Sequence, residues 1–275
     1  MFLAAKTRGM NQNEVFYFQT VEIQWFAKDE MNSNYLLDSV IDCNFANEIN
    51  PCVGTIKQSA DMKQFIVIDQ LRLNEKGALV CKKPSGRLCS KVHFKQGDLD
   101  GVCGAYSLAM VFNILGVFED SSRNSDEHGN RAAEWKMIRS LNNQDLYPNG
   151  LKPCDMIKMV TQTYSKYVTI DHTGRKAGIP LKVKECIDTN APVILQISCN
   201  QDETHWIVVV GYVIDEGNEM SYLLTLDSRK DLRIGHFWNG ILNLDRCTML
   251  KYGFHYVTDT EEWVGLDDAI IIKKK

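Results

Sequence analysis

Cys103-Gly104-Ala105-Tyr106-Ser107-Leu108-Ala109-Met110-Val111-Phe112-Asn113-Ile114-Leu115 is where the texture of this sequence changes. Leu108, Val111, Phe112 and Leu115 recur at helical spacing and Gly116 is placed to end the run, so the stretch is expected to be an apolar helix with a cysteine at its mouth. Downstream, Asn130 is placed to cap a second helix over 131–141, and Pro153 suits the first turn of a third that runs through Met156, Ile157 and Val160. Short extended runs follow at 193–197, 206–213, 222–226 and 233–238. Upstream, residues 14–90 read as mostly extended: 15–18, then Val21, Ile23 and Trp25 in alternation, then 65–68 and 71–73. Turn chemistry at Asn50-Pro51 and Asn74-Glu75-Lys76-Gly77 punctuates them. Helices first and strands later, without regular alternation, predict an α+β domain rather than a doubly wound sheet. The chain divides near residue 90, into a β-rich region over 1–90 with no assignable motif and a domain over 91–275 that carries the chemistry.

Composition narrows the function classes. The 275 residues are 44% hydrophobic and 24% charged, with a formal charge of −4. That balance lacks the basic face of a nucleic-acid binder, so no nucleic-acid partner is expected. No stretch approaches the ~20 apolar residues that cross a bilayer, so no membrane span is expected. The apolar run 2–5 is too short for a secretory core, which makes the cytoplasm the expected location, with export by another route left open. Nine cysteines is a high and odd count: Cys43, Cys52, Cys81, Cys89, Cys103, Cys154, Cys186, Cys199 and Cys247. Without a secretory signal, most are expected to be buried, reduced thiols that pack as small hydrophobes. Cys81, Cys89 and His93 are spaced more loosely than zinc motifs and no CxxC pair is present, so neither a metal nor a cofactor is expected.

The segment Gln96-Gly97-Asp98-Leu99-Asp100-Gly101-Val102-Cys103-Gly104 concentrates chemistry. The free N–H groups and positive end of a helix N-terminus favour thiolate over thiol, and thiolate is the attacking species. Gly101 and Gly104 would let backbone approach a substrate, and the Gln96 side-chain amide is placed to donate to an oxyanion beside the Cys103 N–H. Thr204-His205-Trp206-Ile207-Val208-Val209-Val210-Gly211-Tyr212 puts a histidine at the opening of an apolar strand, where Trp206 would shield the imidazole. Leu224-Thr225-Leu226-Asp227-Ser228 ends a strand on a carboxylate that can accept from an imidazole N–H. Each residue has a plainer reading: one more core cysteine, a structural histidine, a turn aspartate. His236 and His255 are rival bases with less clear settings, and Asp215 is a rival carboxylate within the turn-like Asp215-Glu216-Gly217-Asn218.

Taken together, Gln-Gly…Gly-x-Cys-Gly, His-Trp-x-Val-Val-x-Gly-Tyr and Leu-Asp-Ser resemble the papain-like cysteine peptidase superfamily. The pattern is most similar to the bacterial branch containing peptidases that remove double-glycine leaders. The resemblance covers roughly residues 91–245. It implies a papain-like fold, with the nucleophile at the N-terminus of a helix packed on an antiparallel sheet. It also implies Cys103 as nucleophile, His205 as base, Asp227 as its orienter and Gln96 as oxyanion donor. The Gln96-to-Cys103 gap is one residue longer than usual in that family, so the loop bulges or another group is the donor. The implied reaction is hydrolysis of a peptide or isopeptide bond in a protein or peptide substrate, through a thioester. The same triad also serves glutamine deamidases and transglutaminases, and a non-catalytic protein-binding module could keep the fold. Oligomeric state is not legible.

Overall fold

The valine- and isoleucine-rich run that includes His205 becomes the spine of the molecule. A computed structural model describes residues 2–5, 16–19, 63–82, 88–96, 103–118, 151–174, 178–199, 203–215 and 217–275. Within these, Thr204–Ile214 is the ninth strand, β9, and it is buried from His205 to its end. It is flanked by β8 (Val193–Ser198) and β10 (Met220–Leu226). β-Branched side chains such as Val208, Val209 and Val210 fit a pleated surface packed on both faces.

The strands after residue 190 close on themselves. β10 pairs with β11 (Gly240–Asn243), β11 with β12 (Phe254–Val257), and β12 with β13 (Glu261–Lys274). β13 then pairs with β8, β8 with β9, and β9 with β10, every pair antiparallel. The result is a closed six-stranded antiparallel barrel.

The expected α+β, papain-like fold class, with a helix packed on an antiparallel sheet, is overturned by this closed barrel. Strands dominate, and only three helices occur among the described residues. The sequence reading omitted β11, β12 and β13, the strands through which the sheet returns to its start. β13 achieves this by length. Its first residues pair with β12, its middle with β8 across a register shift between Leu266 and Asp268, and its last with β7 (Val168–Thr173).

β9 also changes partners along one edge. Residues 204–209 pair with β8, and from Gly211 onward that edge pairs with β3 (Gln64–Val67). A side chain at Gly211 would collide with the Ile66 carbonyl, so glycine permits the crossing. β3 continues the sheet outward to β1 (Phe2–Ala5) and β2 (Phe16–Gln19). β4 (Leu71–Leu73), β5 (Leu79–Lys82) and β6 (Leu88–Lys91) form a separate three-stranded sheet.

Helix α1, Cys103–Ile114, packs against β9 and is buried nearly all round, which suits its continuous apolar composition. It ends as expected at Gly116, whose left-handed φ of 64° lets the N–H of Val117 reach the Phe112 carbonyl at 2.8 Å. Pro153 opens α2 (Pro153–Tyr164), also as expected. A third helix, α3 (Ile179–Asp188), buries Ile179, Val183, Cys186 and Ile187, a helical spacing that the sequence reading passed over. The strand expected over 233–238 is instead a turn. Gly235 takes a φ of 85° and donates to the Gly77 carbonyl at 2.8 Å, which breaks any extended run. The helix expected over 131–141 and the strand at 21–26 lie outside the described residues.

Candidate active site

Antiparallel pairing fixes which ends of the strands meet. The start of β9 and the end of β10 lie at the same end of the barrel, so His205 and Asp227 are brought together there. Their side chains are both 2% exposed, and Nε2 of His205 donates to Oδ1 of Asp227 at 2.7 Å. Oδ1 also accepts the Arg229 N–H at 2.8 Å, and Oδ2 accepts the Tyr256 hydroxyl at 3.0 Å. Burying a carboxylate costs several kcal/mol unless its oxygens are satisfied, and here both are.

The backbone around Asp227 is held as firmly as its side chain. Its N–H donates to Oδ1 of Asn239 at 2.7 Å, and Nδ2 of Asn239 donates back to its carbonyl at 2.8 Å. Buried His93 places Nε2 2.8 Å from the same carbonyl. Burial lowers the proton affinity of His93, and the hydrogen bond to Asp227 offsets only part of that.

Cys103, the first residue of α1, lies beside the same imidazole. Burial pushes its thiol up, but the hydrogen-bonding approach and positive charge of His205 more than reverse this. The Trp206 backbone and the Arg229 charge help, and the thiol falls below its ordinary value. His205 shows the complement. Burial lowers it, the hydrogen bonds to Asp227 and then Cys103 raise it, and the balance is pushed up to about 8. Burial also pushes the Asp227 carboxyl up, but His205, the Arg229 N–H and Tyr256 together bring it below its ordinary value. Nε2 of His205 is committed to Asp227, and Nδ1 is buried without a hydrogen-bond partner among the described residues. Nδ1 is therefore the nitrogen left for the thiol. The imidazole thus has the Asp227 carboxylate on one nitrogen and the Cys103 thiol as neighbour, an arrangement that can favour a thiolate and carry a proton through the ring.

Gln96 joins the cluster from its carboxylate side. Its N–H donates to the Ser228 carbonyl at 2.8 Å, and its Oε1 accepts the Ser228 hydroxyl at 2.9 Å. Its placement is thus set by the residue after Asp227, while residues 97–100, including Asp98 and Asp100, lie outside the described residues.

One expected role changes. A side chain on Gly104 would sit 2.9 Å from Cβ of Leu151 and 3.1 Å from Cδ1 of Trp206, so this glycine serves packing rather than access for a substrate. Trp206 is seated against that same surface, with its Nε1 donating to the Leu151 carbonyl at 2.8 Å. It anchors the entry to α2 against the start of α1.

The rival groups are engaged elsewhere. His255 stacks near Trp263 and pairs with Glu261 at 3.3 Å, and His172 pairs with Asp268 at 2.7 Å. Burial, then the charge of Arg233, lowers His236, which lies in the turn after β10. Asp215 caps its own turn, accepting the N–H groups of Gly217 and Glu219, each at 3.1 Å. Among the described residues no group of three or more His, Cys, Asp or Glu side chains could hold a metal ion. Cys81 donates to the Asn113 carbonyl at 3.2 Å, and His93 faces Asp227. No described helix is long and apolar enough to cross a membrane.

Tyr256, Asn239 and His93 went unassigned in the sequence. Tyr256 carries one weak signal, its place in the alternating Phe254-His255-Tyr256-Val257. Asn239 sits in an irregular segment, where side-chain type says little about direction. Comparison with protein-family models and with curated proteins returned no match.

Proposed function

We propose that the protein is a thiol hydrolase that cleaves a peptide or isopeptide bond, with Cys103 as nucleophile, His205 as acid and base, and Asp227 as orienter. The observation that carries this reading is a single buried imidazole set between a lowered thiol and a fully satisfied carboxylate. A structural histidine has no need of both partners.

The Cys103 thiolate attacks the carbonyl carbon, and the first-turn N–H groups of α1, which have no intrahelical acceptor, face the developing oxyanion. His205 gives its proton to the leaving amine as the carbon–nitrogen bond breaks, leaving a thioester. Water then attacks, passes a proton to His205 and releases the acid and the thiolate. Asp227 holds the tautomer throughout and stabilises the imidazolium. The family resemblance is proposed for the motifs around Cys103, His205 and Asp227, since the strands carrying them are arranged differently from the expectation.

The test is labelling with an electrophilic peptide probe near pH 6, followed by peptide mapping. The label is expected on Cys103, with Cys186 and Cys199 unlabelled. Burial raises both of their thiols, and Cys199, further opposed by Glu262, reaches about 12. His205→Ala should reduce labelling of Cys103 by about 10³-fold or more, the scale of losing a triad member. Equal, slow labelling of every cysteine would end the proposal.

A further inference from the structure

Among the described residues the Tyr256 hydroxyl bonds neither the thiol nor the imidazole, yet the fold spends several features on placing it. It is 3% exposed on β12, and its hydroxyl donates to Oδ2 of Asp227 at 3.0 Å. Its own oxygen faces Oγ1 of Thr225 at 3.2 Å, on β10 two residues before Asp227. Across β10, Gly240 leaves the space the hydroxyl fills, because a Cβ there would collide with both the Tyr256 and Thr225 oxygens. Three strands of the barrel thus converge on one oxygen–oxygen contact.

We propose that Tyr256 is a positioning residue of the triad, occupying Oδ2 of Asp227 so that Oδ1 stays aligned on His205. The proposal rests on the thiol-hydrolase reading. A carboxylate rotates easily about its Cβ–Cγ bond, and nothing in His205 alone decides which oxygen it meets. Among the described residues Oδ2 has no donor other than Tyr256. Without that hydroxyl it would be a buried acceptor with no partner, and relief would come from rotation or from a proton on the carboxyl. Either weakens the bond from Oδ1 to His205 and, through it, the imidazolium that lowers Cys103. Burial beside Asp227 raises the phenol well above its ordinary value, so the donor persists throughout the working range. The charged and titratable groups facing this contact are His205 on β9, Cys103 on α1, His93 after β6, Arg229 after β10, Glu262 on β13 and Cys199 at the end of β8.

The experiment measures the pH dependence of Cys103 alkylation by iodoacetamide, with peptide mapping. The proteins are the unaltered chain, Tyr256→Phe, Asp227→Asn and the double variant, with thermal melting in parallel. Tyr256→Phe should move the rise of Cys103 alkylation to higher pH and slow it on the order of tenfold near pH 6, one pKa unit of lost thiolate. In the Asp227→Asn background the same replacement should leave the rise where it is, because the residue it acts through is already neutral. A purely structural tyrosine would lower the melting temperature in both backgrounds and leave the rise in place, which would overturn the proposal. So would a rise moved to lower pH, or an equal effect in both backgrounds. If Tyr256→Phe does not fold, Thr225→Val, which removes only the tyrosine's own partner, should move the rise in the same sense, and no change there overturns the proposal. An unaltered Cys103 that reacts no faster than Cys186 or Cys199 overturns the hydrolase reading and this role together. A fast Cys103 indifferent to Tyr256→Phe overturns this role alone.

Discussion

Replacing Gly104 by alanine sets two effects of known size against each other. Alanine in a helix is favoured over glycine by about 1 kcal/mol, so helix propensity alone predicts a more stable protein. The added Cβ, however, would stand 2.9 Å from Cβ of Leu151, 3.1 Å from Cε of Met156 and 3.1 Å from Cδ1 of Trp206. The methionine end can swing away. The Leu151 Cβ cannot, since it moves only with its backbone, and that backbone carbonyl is tied to the Trp206 indole. Overpacking of this kind costs about 1–3 kcal/mol, which outweighs the propensity gain at all but its lowest value. The net expectation is a loss of about 0–2 kcal/mol, read as a lower urea midpoint at unchanged slope. Relief of the clash lifts the first turn of α1 from β9, and Cys103 is the residue before Gly104. The thiol should drift from His205 toward its ordinary value, with a tenfold loss of thiolate below that value for each unit regained. Alkylation of Cys103 near pH 6 should therefore slow in the same variant. A Gly104→Ala protein that melts higher and alkylates at the original rate would refute the packing role given to this glycine.

Other expectations follow from the same contacts. Trp206→Phe keeps most of the ring but strips the Leu151 carbonyl of its donor, and should cost about 1–3 kcal/mol in a urea titration. Asp227 is more acidic when folded than when unfolded, so its contribution to stability is present above the ordinary carboxylate range and fades as pH falls through its lowered value. The urea midpoint of the unaltered protein should therefore drop more steeply on acidification than that of Asp227→Asn; parallel curves would deny Asp227 its ion-pairing role. Gly240→Ala should displace the Tyr256 hydroxyl and, like Tyr256→Phe, move the rise of Cys103 alkylation to higher pH, as seen by the same mapping.

The parts of this molecule that were legible in the sequence are those in which one local rule governs one segment. Helix α1 was readable because its apolar spacing, its opening cysteine and Gly116 all point the same way. β9 was readable from β-branched content and β10 from its short apolar run, and their ends delivered His205 and Asp227. Closure of the barrel was not readable, because it depends on β11 and β12, four residues each, and on a β13 whose partners change along its length. Short strands leave too little alternation to separate from loop, and a strand buried by different neighbours at its two ends has no single period. α3 was within reach, since Ile179, Val183, Cys186 and Ile187 repeat at helical spacing behind Pro180. The segment at 233–238 misled because Ile234, Phe237 and Trp238 imitate a strand, while Gly235 in the left-handed region forbids one. The supporting shell of the site was the least visible. Tyr256 and His93 are distant in sequence from Asp227, and only the assembled barrel places them beside it.

The change of partner along β9 bears on how this protein can be divided. A shortened chain starting at residue 91, which the sequence alone would recommend as a unit, loses β3 and uncovers the stretch of β9 from Gly211 onward. That stretch would present a ladder of unsatisfied amides and carbonyls, with no side chain on Gly211 to fend off an approaching backbone. Two such fragments would find in each other the neighbour each had lost. The trimmed protein would then self-associate through the continuation of the strand that bears His205.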